Sequence, residues 1–88
     1  MRIFVTANDI AAGRAAQAAG DEAWLTCPIA QSLKRRGFQF PVVDDLIRWQ
    51  HKNRQRFAVL PQRVTEWIAA FDEGSAVKPI AFELEGQP

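Results

Sequence analysis

The chain has 88 residues and a net charge of +1, and 48% of its residues are hydrophobic. This composition excludes a globally disordered chain, and the length leaves room for one hydrophobic core, so we expect a single domain over residues 1–88. The lone cysteine, Cys27, excludes an internal disulfide and favours a reducing cytoplasmic setting. No segment approaches the roughly 20 apolar residues of a membrane span, so we expect no membrane association.

Charge is divided unevenly along the sequence. Residues 34–63 hold eight Lys and Arg side chains against two carboxylates, a net +6, whereas the rest of the chain carries −5. A small domain charged in this way has a dipolar surface that can orient it on a charged partner. We expect the cations of residues 34–63 to converge on one exposed face, with the carboxylates elsewhere.

The N-terminal third predicts a strand followed by a short helix. Residues 2–6 are rich in β-branched and aromatic side chains and predict a strand. Thr6 and Asp9 have the spacing of a capping box, which predicts a helix over about 7–13. The alanine-rich run that follows either extends this helix towards Gly20 or forms a mobile loop.

A second helix is predicted over residues 26–36. Thr26 is a candidate N-cap, and Pro28 suits the first turn because its missing N–H would be unpaired there in any case. Basic residues fill the last turn, where they face the negative end of the helix dipole, and Gly37 is a natural stop.

The remaining sequence predicts three strands, a helix and a last strand. Short extended runs over residues 38–60 are separated by turn residues, as in an antiparallel meander. A helix opens near Pro61 with an apolar stripe, and residues 80–84 alternate as a half-buried strand. The fold class is therefore α+β, in the order β-α-α-β-β-β-α-β, a mostly antiparallel sheet with helices packed on one face.

Catalytic patterns are absent from the sequence. There is no glycine-rich phosphate loop, and His51 is the sole histidine, so we assign no catalytic residue, no cofactor and no metal site. Cys27 has two interpretations: a thiolate activated at a helix N-terminus with His51 as its base, or a small buried apolar group. The second is favoured, and we expect a binding protein rather than an enzyme.

The basic segment after residue 47 is the candidate site. Cations there alternate with amides and lie next to a tryptophan, which suits phosphates and bases or an acidic protein surface, although a solubilising hairpin has the same composition. The predicted partner-binding residues are Arg48, Trp49, Lys52, Arg54 and Arg56, with Trp49 as a possible interface anchor. An acidic face with Glu83 and Glu85, imitating DNA phosphates, is the alternative surface.

Two patterns carry a resemblance to known proteins. V-T-x-x-D-I-x-x-G at residues 5–13 and C-P-I-A-x-x-L at residues 27–33 resemble small proteins encoded by phages, prophages and gene-transfer elements, and A-F-D-x-G at residues 70–74 is similar too. The motifs are structural and bring no catalytic residues. Some small phage proteins of this kind are anti-CRISPR inhibitors, which bind a CRISPR effector and block DNA recognition or nuclease recruitment.

The sequence leads to two functional hypotheses, the first implied by the resemblance and the second by the basic hairpin. The leading hypothesis is an anti-CRISPR protein of the host cytoplasm that binds a subunit of a type I CRISPR effector complex and inhibits it by occlusion. The alternative is a nucleic-acid-binding accessory or regulatory protein that uses the same basic hairpin. The sequence specifies neither the stoichiometry nor the oligomeric state.

Overall fold

A computed structural model describes residues 1–84, which contain five strands and four helical segments. In chain order these are β1 (Arg2–Val5), α1 (Ala7–Ala18), α2 (Ala23–Thr26), α3 (Pro28–Arg35), β2 (Gln39–Val43), β3 (Leu46–His51), β4 (Arg54–Val59), α4 (Gln62–Asp72) and β5 (Ile80–Glu83). The α+β class is confirmed, and the order differs from the expected one by the extra turn α2. None of the helices within residues 1–84 combines the length and apolar composition of a membrane span.

The strands form two antiparallel sheets where the sequence suggested one. β1 pairs with β5, so that the first and last strands of the chain meet, and Arg2 lies opposite Glu83. The predicted meander β2-β3-β4 is the second sheet. Helix α3 packs against both β1 and β2 and so joins the two sheets.

Helix α1 begins at the predicted capping box and runs further than expected. The Thr6 hydroxyl accepts a hydrogen bond from the Asp9 amide, and an Asp9 carboxylate oxygen accepts one from the Thr6 amide. The helix continues to Ala18, so the loop alternative is wrong for residues 14–18. Gly13 does not end the helix but lets it approach α3, because a Cβ there would lie 2.7 Å from ring atoms of Pro28.

Helix α3 ends as predicted but begins differently. Cys27, not Thr26, is its N-cap, and the Thr26 hydroxyl donates instead to the Glu22 carbonyl within α2. At the other end, Gly37 has a φ of 93°, and the Phe38 amide donates to the Leu33 carbonyl at 3.0 Å. This is a Schellman ending, which turns the chain directly into β2.

One hydrophobic cluster lies between the helices and the two sheets. Its fully buried members come from β1, α3, β3, α4 and β5: Ile3, Ile29, Leu33, Ile47, Val64 and Phe82. Of the predicted stripe of α4, Val64 belongs to this cluster and the half-buried Trp67 and Ile68 pack against it. Phe71 is buried and stacks on Trp67, with ring centroids 6.1 Å apart. The helices therefore cover one side of the meander and leave its other side uncovered.

Candidate functional site

All five predicted partner-binding residues lie in the β3–β4 hairpin. Its two-residue turn consists of Lys52 and Asn53, whose φ values are 51° and 63°. Positive φ at both central positions is typical of a type I′ turn, whose twist matches that of the flanking strands. Lys52 and Arg54 are exposed at this tip.

Strand alternation divides the predicted residues between two faces. Arg48 pairs with Phe57, whereas Trp49 pairs with Arg56, and neighbouring pairs point to opposite sides of a sheet. Arg48 is therefore on the outer side with Phe57, while Trp49, Arg54 and Arg56 point to the other side. The expectation that the basic residues share one face is wrong.

Trp49 is a core residue and not an exposed anchor. Its side chain is 2% exposed, and its ring centroid lies 5.0 Å from that of Phe38. The indole N–H has no hydrogen-bond partner within residues 1–84. The tryptophan that does reach solvent is Trp24, which is 46% exposed and donates its indole N–H to the Glu22 carboxylate.

The other four cations of residues 34–63 serve contacts within the chain. Arg35 forms an ion pair with Asp9 at 2.9 Å. All four also donate to backbone carbonyls: Lys34 to Leu25, Arg35 to Phe4, Arg36 to Arg2 and Arg63 to Ala81. Three of the eight cations thus join a helix to a strand and Lys34 joins α3 to α2, so the segregated charge of the sequence does not become one basic surface.

The uncovered side of the meander carries a surface that the sequence analysis missed. We define the outer face as the outward side chains of the two strands: Leu46, Arg48 and Gln50 of β3 with Gln55, Phe57 and Val59 of β4. Phe57 and Val59 are 68% and 71% exposed. The sequence contains an indication of this surface in the run F-A-V-L at residues 57–60. Consecutive residues of a strand point to opposite faces, so a strand that is apolar at every position exposes apolar side chains on the face that is not packed.

Apolar residues are also exposed in β2 and along the free edge of β4, beside the outer face. Phe40 is 75% exposed in β2, at a bulge where its φ is 52°. Along the free edge of β4 runs a groove of about 460 Å³ lined by residues 57–61 and Glu83. Arg48 is the one charged residue among the six of the outer face.

Cys27 has the environment of a structural thiol. It is 4% exposed, and burial raises the pKa of its thiol, with a further contribution from the nearby Asp72 carboxylate. Cys27 lines a cavity of about 350 Å³ near Trp24 and Asp72, whereas His51 lines a different one. The structure does not bring the two together as a nucleophile and base.

Comparisons with protein-family models, with curated proteins and with solved structures find no match for this chain. Within residues 1–84, no group of three or more His, Cys, Asp or Glu side chains is placed to hold a metal ion.

The predicted acidic surface is only partly described. Glu83 is 62% exposed and forms ion pairs with Arg2 at 3.2 Å and with the N-terminal ammonium group at 3.5 Å. Its charge is therefore partly compensated within the chain. Glu85 lies outside the described residues.

Proposed function

We propose that this chain is a small inhibitor that acts by binding a larger protein through the outer face of its meander. The observation that supports the proposal is the exposure of Phe57 and Val59 on a strand whose other side is packed into the core. Apolar side chains held rigidly at the surface lose little conformational entropy when a partner covers them. Contiguous exposed apolar groups with a polar rim are typical of protein-binding sites.

Arg48 gives this surface its charge preference. It lies opposite Phe57 on the adjacent strand, and no carboxylate is among the residues of the outer face. Interface centres are enriched in aromatic residues and arginine, whose stem packs while its guanidinium pairs with a carboxylate. We therefore infer that the partner presents an apolar patch next to an acidic side chain.

The resemblance of the sequence to small phage proteins suggests the partner. We propose a subunit of a type I CRISPR effector complex, with inhibition by occlusion of DNA recognition or nuclease recruitment in the host cytoplasm. A chain of 9.9 kDa covers one subunit surface and requires no catalytic residue for this role. The resemblance alone supports the identity of this partner, and the outer face supports the mode of binding.

Binding to a purified type I surveillance complex tests the proposal. In biolayer interferometry, Arg48→Glu is expected to weaken binding by roughly 30-fold or more, because the introduced carboxylate would face the partner's acidic group. The matched control is Lys78→Glu, a charge reversal of the same kind at an exposed residue outside the meander, and it is expected to stay within about two-fold of wild type. Equal effects of the two variants, or no binding of the wild type, would contradict the proposal.

Nucleic-acid binding remains the second candidate because the hairpin tip exposes Lys52 and Arg54, with Arg48 on the same hairpin. Three phosphate contacts would lower the affinity for duplex DNA about 40-fold between 50 and 200 mM salt. Fluorescence anisotropy with a labelled duplex measures this directly. Tight binding with that salt dependence would support the second candidate, whereas negligible affinity for DNA would favour a protein partner.

A further inference from the structure

Two small sheets have four strand edges, and exposed edges invite pairing with another chain. Arginines occupy the outward carbonyls of β1, where Arg36 donates to Arg2 at 2.9 Å and Arg35 donates to Phe4 at 3.0 Å. On β5, Arg63 donates to the outward carbonyl of Ala81 at 2.6 Å. Side chains therefore occupy both outward carbonyls of β1 and one of the two on β5.

The β2 edge of the meander is closed in a different way. Phe40 has a φ of 52° and the register shifts between Gln39 and Val42, so the strand is bulged. Pro41 in the same stretch has no N–H to donate, and helix α3 packs against the strand. Bulges and prolines are the usual means by which proteins block edge pairing.

Within residues 1–84, the edge of β4 has neither a bulge nor a side chain that donates to its outward carbonyls. In a two-residue hairpin the residues that flank the turn, His51 and Arg54, form a hydrogen-bonded pair, so the backbone groups of Gln55, Phe57 and Val59 point away from β3. No hydrogen bond outside the ladder engages those groups in the described part of the chain. The strand has no bulge against β3, and the groove of about 460 Å³ leaves space beside it.

We propose that the β4 edge pairs with the β4 edge of a second copy of this chain, in an antiparallel arrangement with its two-fold axis at Phe57. This register places Phe57 opposite Phe57 of the other copy and Gln55 opposite Val59, so the outward backbone groups of both strands meet. The two meanders become one six-stranded sheet. The outer faces of the two copies become one surface with both Phe57 side chains at its centre.

Charge favours this register over the one whose axis lies one residue closer to the hairpin turn. It brings Arg54 of one copy opposite Leu60 of the other, and Leu60 lines the same groove as Glu83. A cation from the second copy therefore lies near Glu83, the one charged residue that lines the groove, whose carboxylate also pairs with Arg2 and the N-terminal ammonium group. Moving the axis to residue 56 would place two Arg56 side chains directly opposite each other, which is unfavourable.

Sedimentation velocity of the full chain from about 5 µM to 1 mM tests the proposal. A reversible dimer of twice 9.9 kDa is expected. Phe57→Glu, which sets two carboxylates against each other on the axis, is expected to weaken association by roughly 30-fold or more. The matched control is Phe40→Glu, which charges a similarly exposed phenylalanine away from β4 and is expected to leave association within about two-fold of wild type.

A second variant guards against an effect of misfolding. Val59→Pro removes an outward N–H and no ladder bond to β3, so circular dichroism should stay native while the dimer is lost. Hydrogen exchange of the Gln55, Phe57 and Val59 amides should slow as protein concentration rises. Protection that is independent of concentration would place another segment of the same chain on this edge and overturn the proposal.

Two further outcomes would also overturn it: a monomer up to 1 mM, or a dimer that survives both variants. A monomer whose β4 amides become protected only when a binding partner is added would assign the edge to that partner instead. The dimer requires no effector complex, and Arg48→Glu is expected to leave it intact. Failure of the dimer and failure of the proposed inhibitor function are therefore distinguishable.

Discussion

Asp9 is the buried charge on which the junction of β1, α1 and α3 depends. One of its carboxylate oxygens, Oδ2, accepts hydrogen bonds from the Thr6 amide at 2.9 Å, the Thr6 hydroxyl at 3.0 Å and Arg35 at 2.9 Å. Asp9 is only 5% exposed to solvent. Asp9→Asn keeps the shape of the side chain but replaces one acceptor oxygen with an NH₂ donor, which would face another donor.

The expected loss of stability follows from these contacts. A hydrogen bond to a charged group contributes about 1.5–3 kcal/mol, and the half-exposed Arg35 side chain places the value at the lower end. We expect Asp9→Asn to lower the free energy of unfolding by about 1.5 kcal/mol, which for a domain of this size lowers the melting temperature by roughly 6–12 °C. The control Asp21→Asn, at an exposed carboxylate, should change it by less than about 0.5 kcal/mol.

The same contacts set the pH dependence. Burial acts to raise the pKa of Asp9, but hydrogen bonds from Arg35 and Thr6 and the charge of Arg35 outweigh it and hold the pKa below its ordinary value. A depressed pKa means that the ionised carboxylate stabilises the fold fully above the unfolded pKa of about 3.9. The stabilisation is lost as the pH falls through the lower folded value.

Thermal unfolding followed by circular dichroism measures both effects. The difference between wild type and Asp9→Asn should be constant from pH 5 to 7 and shrink below about pH 4. Combining Asp9→Asn with Arg35→Gln should cost less than the sum of the two single changes, since the residues form one pair. The reasoning would be refuted if the free energy of unfolding of Asp9→Asn lay within about 0.5 kcal/mol of wild type, or if the difference between the two proteins grew as the pH fell.

Two further predictions concern α3 and the residue before it. Gly13→Ala should destabilise the fold by about 1–3 kcal/mol despite alanine's better helix propensity, because the new Cβ would lie 2.7 Å from the Pro28 ring. Chemical denaturation measures this loss of stability. The control is Ala11→Gly, the opposite substitution on the exposed side of α1. The Cys27 thiol, buried and with a raised pKa, should react with iodoacetamide at pH 7.5 roughly ten-fold more slowly in the folded chain than in guanidinium chloride. Labelling at mildly acidic pH in the folded state would restore the thiolate hypothesis.

Local signals in the sequence predicted local structure. The spacing of Thr6 and Asp9 specifies a capping box because both partners lie within one turn, and Gly37 specifies a helix end because it alone adopts a φ of 93° without strain. Alternating apolar residues predicted the strands because this pattern, too, is set by residues close together in the sequence. Thr26 was misassigned because two helical segments meet there, and its hydroxyl serves the first of them.

The candidate site depends on contacts that no local pattern encodes. The cations of residues 34–36 were grouped with those of the hairpin because they are close in sequence, yet Arg35 and Arg36 reach carbonyls of β1 more than 30 residues away. Trp49 is a candidate anchor in the sequence because it lies in a basic segment, whereas strand alternation places it in the core against Phe38. The outer face could have been predicted from the register Arg48–Phe57 had the hairpin turn been fixed at Lys52–Asn53.

The arginines of this chain explain why recognition is expected on β4 and not elsewhere. A fold of two small sheets has a high proportion of edge backbone, and Arg35, Arg36 and Arg63 cover both outward carbonyls of β1 and that of Ala81 on β5. Three of the eight basic side chains of residues 34–63 therefore hinder pairing with another strand at those edges. Within residues 1–84, arginine contacts or a bulge are found at the other three edges, whereas the β4 edge has neither and carries the exposed Phe57 and Val59. This difference is expected where an edge is used for binding.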